Sequence, residues 1–560
     1  MQLTVSPNDN EKQKVKLEEF KKQEMEDIAQ ILSKKYGIPY INLSLIPINI
    51  DALKIIPEKD ARNGFLAVFQ KTGKILKIVL TSPNLTETER ILNSLKNNNY
   101  KLELFLGSEN ALKKAWGYYK DIPQYTEAKY GIVEISGEKI EEASSYAKNI
   151  EQFKAAFLDN IIKEKKKTTE ILEIILAASL NINASDIHFE PQEKDTRLRF
   201  RLDGVLIDVL NFDKNLYNFL LSRIKLLSEL KLNIHNSAQD GRFSIKTKNA
   251  EIEIRTSIIP SSYGETIVLR ILNPKTISME FNDLGIQKKL LDEVYDEIKK
   301  PNGMILTTGP TGSGKTTAIY AFLKKVNTPS VKIITIEDPI EYHLKGISQT
   351  QVVKEKKYDF SNGLKAILRQ DPDIIMVGEI RDFDTAETAI NASLTGHLVF
   401  STLHTNNAAG TIPRLVDLGV KASLIGPAIN LSMAQRLVRK LCPESRIKSA
   451  PDARKKKIIA HLISTLPEKF KEEKNREFKE IWRSQPCEKC NNTGYKGRIG
   501  VFEIFKINES VEKLISENAT EGDYQKTAVK QGMLTMQQDA ILKLLDGMTS
   551  FDEIERVVGF

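Results

Sequence analysis

The chain has 560 residues, 41% apolar and 28% charged, and its 82 Lys and Arg against 74 Asp and Glu give a formal net charge of +8. That length predicts three or four domains, and that composition excludes wholesale disorder. Three cysteines exclude a disulfide framework and favour a reducing compartment, and no apolar stretch reaches the roughly 18 residues of a membrane span. The first residues are polar and charged, so no signal peptide is expected and the chain is expected to stay where it is made. The mild positive balance permits an anionic partner without indicating one.

In chain order, residues 1–16 read as a solvated tail. From Leu17 the apolar positions Leu17, Phe20, Ile28, Ile31 and Leu32 recur at helical spacing, and Gly37 with Pro39 ends the helix. Ile75–Leu80 reads as a strand and Ser82-Pro83-Asn84 as a turn, giving a small α/β domain over 1–118. Charge runs mark 119–168 as a linker or an exposed helix, closing on Lys163-Glu164-Lys165-Lys166-Lys167. A second, α+β domain follows over 169–274. It opens with the helix Ile171–Leu180 and continues in strands at Thr196–Phe200, Val205–Val209, Ile252–Ile254 and Thr266–Leu272.

From about residue 280 apolar strands alternate with helices: Met304–Thr307, Val331–Ile336, Ile374–Val377 and Leu398–Leu403. Continuous apolar runs bounded by turns suit a parallel sheet covered on both faces. The last fifty residues read as helical, with Ser550-x-x-Glu553 in the form of a capping box.

Gly309-Pro310-Thr311-Gly312-Ser313-Gly314-Lys315-Thr316 fits G-x-x-x-x-G-K-[ST], and Thr317 continues into a helix. The glycines let successive N–H groups turn toward phosphate oxygens, and the helix N-terminus adds partial positive charge. Lys315 is expected to reach the β- and γ-phosphates and Thr316 to ligate Mg²⁺.

Such a site needs acids for the metal and for water. Asp373 and Glu379 flank one strand and lie about 20 Å apart in extended chain, so they cannot both touch the nucleotide. Ligands sit at the carboxyl ends of parallel strands, which selects Glu379 and leaves Asp373 as a turn residue. Glu337-Asp338-Pro339-Ile340-Glu341 clusters three acids just after another strand and favours a water-activating site over a solvated turn. His404 ends the strand Leu398–Leu403 on the side where it could sense a γ-phosphate. His397 lies at the other end and is harder to place. His188, His235, His343 and His461 read as structural or surface residues.

At these residues the chain resembles the secretion-superfamily traffic ATPases, the motors of type IV pilus assembly and type II secretion. The resemblance runs through Ala184-Ser-Asp-Ile-His-Phe-Glu-Pro191, Arg199-Phe-Arg-Leu-Asp-Gly204, Gln239-Asp-Gly-Arg-Phe243 and Tyr263-Gly-Glu265 to the phosphate loop. It continues through the acid cluster Ile336–Tyr342, the segments Leu368–Asp373 and Gly378–Asp382, and Thr395-Gly-His-Leu-Val-Phe-Ser-Thr-Leu-His404.

The resemblance implies a RecA-like P-loop ATPase domain over 275–560, preceded by a PAS-like α+β domain and a smaller partner-docking α/β domain. It implies Glu341 as the water-activating carboxylate with Glu337 in the same box, Glu379 at the metal, and roles for both His397 and His404. Arg255 and Arg270 match arginines of the second domain that reach the phosphates, and Arg369 matches a further functional arginine. A homohexamer follows, hydrolysing ATP with Mg²⁺ at the cytoplasmic face of the inner membrane. It would be docked peripherally on a platform protein and an accessory membrane protein, with no nucleic acid. The segment Asn273–Gly285 is expected to act as a hinge between the second domain and the ATPase domain.

Two departures from the family stand out. Relatives of this length carry Cys-x-x-Cys twice and hold zinc. Here Cys487-Glu-Lys-Cys490 is intact, but the upstream pair reads Cys442-Pro-Glu-Ser445. Zinc on Cys442, Cys487 and Cys490, with His461 or water as fourth ligand, and a metal-free turn both stay open. The Arg-Leu-Gly motif through which some relatives bind a cyclic dinucleotide is missing from the first forty residues, and no such ligand is expected. Among other classes, a pilus-retraction motor fits less well, because such motors lack the extra N-terminal domain and the cysteine region. A nucleic-acid translocase would need a basic, aromatic-laced lumen, and the lysine runs fall in expected linkers. An inactive scaffold would have lost a catalytic residue, and none is lost.

Overall fold

The computed structural model describes residues 23–560 apart from 44, 45, 47, 54, 98, 99, 121–131, 135–146, 148, 158–166, 248–250, 274–278, 354 and 355. The expected tail, most of Lys163–Lys167 and the middle of the expected hinge lie outside the described residues. The chain divides into two compact units, Met1–Glu127 and Ala128–Phe560.

In the first unit, strands Leu66–Thr72, Ile75–Leu80 and Lys101–Leu106 form one sheet in that order, the first pair antiparallel and the second parallel. The parallel pair needs a crossover, supplied by the amphipathic helix Thr86–Asn97, which buries Ile91, Leu92 and Leu95. Residues 23–36 are helical, but the buried side of that helix carries Ala29, with Leu32 and Tyr36 packed on the core. Ile28 and Ile31, expected on the inner stripe, are exposed by 50% and 67%. The sequence has apolar residues on two sides of this helix, and period alone cannot choose between them.

The second unit holds two seven-stranded sheets. The first is built mainly from antiparallel pairs, with Gln239–Lys246, Glu251–Ser261, Gly264–Leu272, Asp186–Pro191, Thr196–Leu202 and Val205–Phe212 adjacent in that order. Helices Thr168–Asn181 and Lys214–Leu227 share the core under one face. The expected linker is not all linker. Ile132–Glu134 pairs in parallel with Gln239–Lys246 at the sheet edge. The helix Ile150–Ala156 buries Phe153, whose ring stacks on Phe200 at 6.1 Å. Those aromatics make ordered structure of a stretch whose overall charge suggests solvent.

The second sheet runs Ser348–Gln351, Ile333–Glu337, Ile374–Val377, Leu398–Leu403, Gly303–Thr308, Ile429–Leu441, Tyr495–Lys506. Its strands are parallel except for the last pair, which is antiparallel. Four of its five inner strands are buried along their whole length because helices cover both faces. The strand expected from Val331 begins at Ile333, after a turn closed by the Val331 N–H on the Thr328 carbonyl at 3.1 Å.

The far end of the expected hinge is anchored rather than free. Phe281 is buried and meets Phe322 edge-on at 5.8 Å, with Leu284 and Ile286 in the same core. At the C-terminus Ser550 caps the helix Phe551–Val557 through the Glu553 N–H, but the capping box is only half made. The fully buried Glu553 turns instead to Arg439 at 2.7 Å and Arg556 at 2.6 Å. Burial would raise its carboxyl, and the hydrogen bonds from Arg556 and Arg439 outweigh that and hold it below its usual range.

Candidate nucleotide site

The strand Gly303–Thr308 lies between Leu398–Leu403 and Ile429–Leu441, with Thr308 opposite Leu403 on one side and Ala434 on the other. The phosphate loop therefore leaves the carboxyl edge of an inner strand, next to the middle one. Gly309, Gly312 and Gly314 have φ of 146°, 79° and 89°. A Cβ on Gly309 would meet the Gln435 carbonyl at 2.5 Å, so the first glycine is required by space as well as by backbone angle. Gly314 then caps the helix Lys315–Val326, which points its free N–H groups into the loop.

Lys315 folds onto the loop, donating to the carbonyls of Gly309 at 2.7 Å and Pro310 at 3.3 Å. Burial lowers its ammonium pKa, the Glu379 charge opposes that, and Arg436 reinforces it. Glu379 follows the strand Ile374–Val377 and binds Arg381 at 2.5 Å and His404 Nε2 at 3.4 Å. A cation, a carboxylate and an imidazole thus meet where three parallel strands end. Thr316 opens the helix beside them, half-buried. Asp373 is at the opposite edge, exposed, and accepts the Lys332 N–H at 2.7 Å.

The acid cluster splits into two environments. Glu337 is buried and accepts hydrogen bonds from Tyr320, from Thr335 at 2.5 Å and from Gln349 at 3.1 Å. Tyr320 belongs to the phosphate-loop helix, so Glu337 fixes the cluster to that helix. Burial, then the Glu337 charge, pushes the tyrosine hydroxyl far above its ordinary pKa. Glu341 is a third exposed, and its carboxylate takes Arg255 Nη1 at 3.2 Å. Arg255 Nη2 also donates to the Ile340 carbonyl at 2.6 Å. Glu341 and Arg255 come from different sheets, so this contact ties the two together. Arg270, opposite Arg255 on the next strand, is held at Nε by the buried Asp186 at 3.0 Å. Both arginines and Glu341 line a cleft of about 1040 Å³ with Tyr342, His343 and Gln351. A second cavity of about 520 Å³ lies against Gly314 and Thr317, reached by Asn183, Gln435 and Arg498.

Two residues singled out in the sequence stay away from the loop. His397 precedes the strand Leu398–Leu403 at the amino edge, where its Nδ1 meets the Ala392 carbonyl at 3.0 Å. Arg369 is exposed beside that edge and donates to the Lys365 carbonyl at 3.0 Å. Sequence reasoning passed over Gln435 and Arg436, which sit directly under the loop. The alternation of Ile429, Leu431 and Met433 is the signal that identifies their segment as a strand.

The cysteines do converge. Cys442 and Cys487 sulfurs are 3.7 Å apart, Cys487 and Cys490 3.4 Å, and the three lie within 4.8 Å of one another. The Ser445 hydroxyl, buried without an oxygen or nitrogen partner, lies against Cys487 and lowers that thiol to about 7, with Cys490 and Cys442 adding in the same direction. His461 is exposed on the helix Ala453–Ser464 and does not join the cluster, which removes it as a fourth ligand.

A mainly parallel sheet with this loop after an inner strand and acids along its carboxyl edge defines a P-loop ATPase of the RecA type. The chain belongs to the Type II/IV secretion system protein family, whose sequence profile matches residues 162–556. It is 34% identical over 529 residues to the type IV pilus assembly ATPase PilB of Myxococcus xanthus, covering 94% of this chain and 90% of that protein. With the type II secretion system protein E of Aeromonas hydrophila it shares 41% identity over 387 residues, covering 69% of this chain and 75% of that protein. The solved structure of the Legionella pneumophila ATPase DotB covers 69% of this chain and 94% of its own, with a TM-score of 0.50 at 20% identity, a likeness of fold.

Proposed function

We propose that this chain hydrolyses ATP and turns hydrolysis into domain movement, as a homohexameric motor for type IV pilus assembly or type II secretion. The observation that carries the reading is the Arg255–Glu341 bridge between the two sheets, beside an intact phosphate loop. The match to the pilus relative extends over nearly the whole chain and favours pilus assembly. No described helix is long and apolar enough to cross a membrane. The motor would therefore reach the cytoplasmic face of the inner membrane by docking on a platform protein and an accessory membrane protein, through the domain 1–118. No nucleic-acid partner is proposed.

In this reading Lys315 exchanges its loop carbonyls for the β- and γ-phosphates, and the cavity against Thr317 takes the nucleoside. The Thr316 hydroxyl and the Glu379 carboxylate suit Mg²⁺, which would neutralise phosphate charge. Glu341 accepts the proton of the attacking water once Arg255 leaves it. Arg255 and Arg270 turn to the γ-phosphoryl group, where a planar guanidinium matches the developing charge. His404 senses that phosphate through its contact with Glu379. His397 and Arg369, remote from this chain's own loop, would act at the neighbouring subunit of the ring. Residues 169–274 and 275–560 are the two moving domains.

The three converging thiols of Cys442, Cys487 and Cys490 suit zinc, with water as the fourth ligand, and the metal would brace the 442–490 insert without touching the reaction. Steady-state ATP turnover and nucleotide binding test the reading. Lys315→Ala should lose binding, and Glu341→Gln should keep binding and lose turnover by about 10³-fold, because an amide cannot take the proton. Equal loss of binding in both variants would remove Glu341 from the role of base.

A further inference from the structure

Arg436 stands on the strand Ile429–Leu441, two residues past Ala434, the partner of Thr308 at the base of the phosphate loop. Its guanidinium lies against Gly309, where a Cβ on that glycine would meet Nη1 at 3.1 Å. Both of its hydrogen bonds go to main-chain carbonyls, Nη1 to Gln435 at 3.1 Å and Nη2 to Asn406 at 3.0 Å. Asn406 follows His404, so the side chain spans from the start of the phosphate loop to the loop that carries the candidate sensor. Among the described residues no carboxylate forms an ion pair with it. Glu503 acts only at longer range, and burial depresses the guanidinium.

A half-buried cation without a counter-ion is costly, and two neutral carbonyls do not offset the charge. The surroundings are under-satisfied in the same way. The Ser313 hydroxyl, 4% exposed, and Gln435 Oε1, in a side chain 2% exposed, are buried without hydrogen-bond partners. Lys315 feels Arg436 as a second positive charge that disfavours its own protonated form. Two cations and an orphan hydroxyl around one glycine are relieved together by an anion with several acceptor oxygens. A fork of N–H donors matches a phosphate in geometry, and the phosphate loop beside it is where one would lie.

We propose that Arg436 is a second phosphate-binding cation of the nucleotide site, acting beside Lys315 on the terminal phosphate. This rests on the reading of the phosphate loop given above. Arg436 reaches across from the strand on the other side of Gly303–Thr308 to the Asn406 carbonyl, two residues past His404, and its charge is felt at Lys315, which points it to the phosphate those two groups are expected to meet, the terminal one. The Asn406 contact means that engaging it also releases or tightens the loop after His404. Arg436 thereby distinguishes ATP from ADP inside one subunit, without help from the other domain.

The test uses the full chain with a non-hydrolysable ATP analogue and with ADP, comparing affinities of the unaltered protein, Arg436→Gln, Arg436→Lys and Lys315→Ala, each checked by thermal melting. Arg436→Gln should weaken the ATP analogue about 10-fold more than ADP, the loss expected for a charged hydrogen bond. Arg436→Lys, which keeps the charge without the fork, should fall between. If Arg436→Gln does not fold, the lysine variant alone must show the smaller preference for the analogue. An equal loss for both nucleotides means that Arg436 only braces the loop and overturns the proposal, as does no loss. If Lys315→Ala also leaves both affinities intact, the reading of the phosphate loop falls with it, whereas an effect at Lys315 alone sinks only the role of Arg436.

Discussion

The two seven-stranded sheets of the second unit present their chemistry in opposite ways. In the parallel sheet four of the five inner strands are buried on both faces, and Lys315, Glu379 and His404 stand where such strands end. In the mainly antiparallel sheet, strands such as Thr196–Leu202 alternate buried and half-buried residues, so one whole face is open to carry side chains. Arg242, Arg255, Arg270, Asp186 and Arg201 stand in one cross-strand row on that face. Like charges directly opposite one another oppose pairing, so the row depends on the carboxylates that interrupt it: Asp186 between Arg270 and Arg201, and Glu341 reaching Arg255 from the other sheet. One sheet can hold a nucleotide at its edge, and the other can offer a field of guanidinium groups to it.

The comparison predicts different costs for changes on the two sheets. The largest is expected inside the parallel sheet. Phe400→Ala removes a fully buried ring in contact with Phe322 and should cost about 3–5 kcal/mol in chemical denaturation. A value near 1 kcal/mol would mean that the sheet is less tightly covered than its burial implies. On the open face the effect should fall on the reaction. Asp186→Asn keeps an acceptor for Arg270 Nε but removes the charge that orients two arginines. Turnover at saturating ATP should drop about 10-fold, with KM and ADP affinity moved less than about 3-fold. A matching loss of melting temperature and ADP affinity would make Asp186 a structural residue and blur the contrast.

The parallel sheet was the more legible of the two. Ile374–Val377 and Leu398–Leu403 coincide with their expected bounds because unbroken apolar runs between turns have few alternatives. The phosphate loop was legible because its glycines answer a local demand of backbone angle and space. Ile429–Leu441 and Tyr495–Lys506 escaped notice: the first is crossed by Arg436, Arg439 and Lys440, the second by Gly497 and Gly500, and both owe their form to pairing with each other. Arg436 was hidden with its strand. The pairing of Arg255 with Glu341 joins residues 86 apart in sequence and follows from how the two sheets pack, which no local pattern encodes. The cysteines were legible as a cluster, but the exclusion of His461 needed the course of the helix Ala453–Ser464.

The central claim is that a nucleotide held by one sheet is completed by an arginine from the other, and that Glu341 is free to act only when Arg255 moves. Arg255→Gln in the full chain tests it most directly, with ATP turnover at saturation and ADP affinity measured on the same protein. Turnover should be about 10²-fold lower, as for loss of one transition-state donor, with ADP affinity within about 3-fold of the unaltered protein. Turnover equal to or above the unaltered protein's would contradict it, because Arg255 would then do nothing but restrain Glu341.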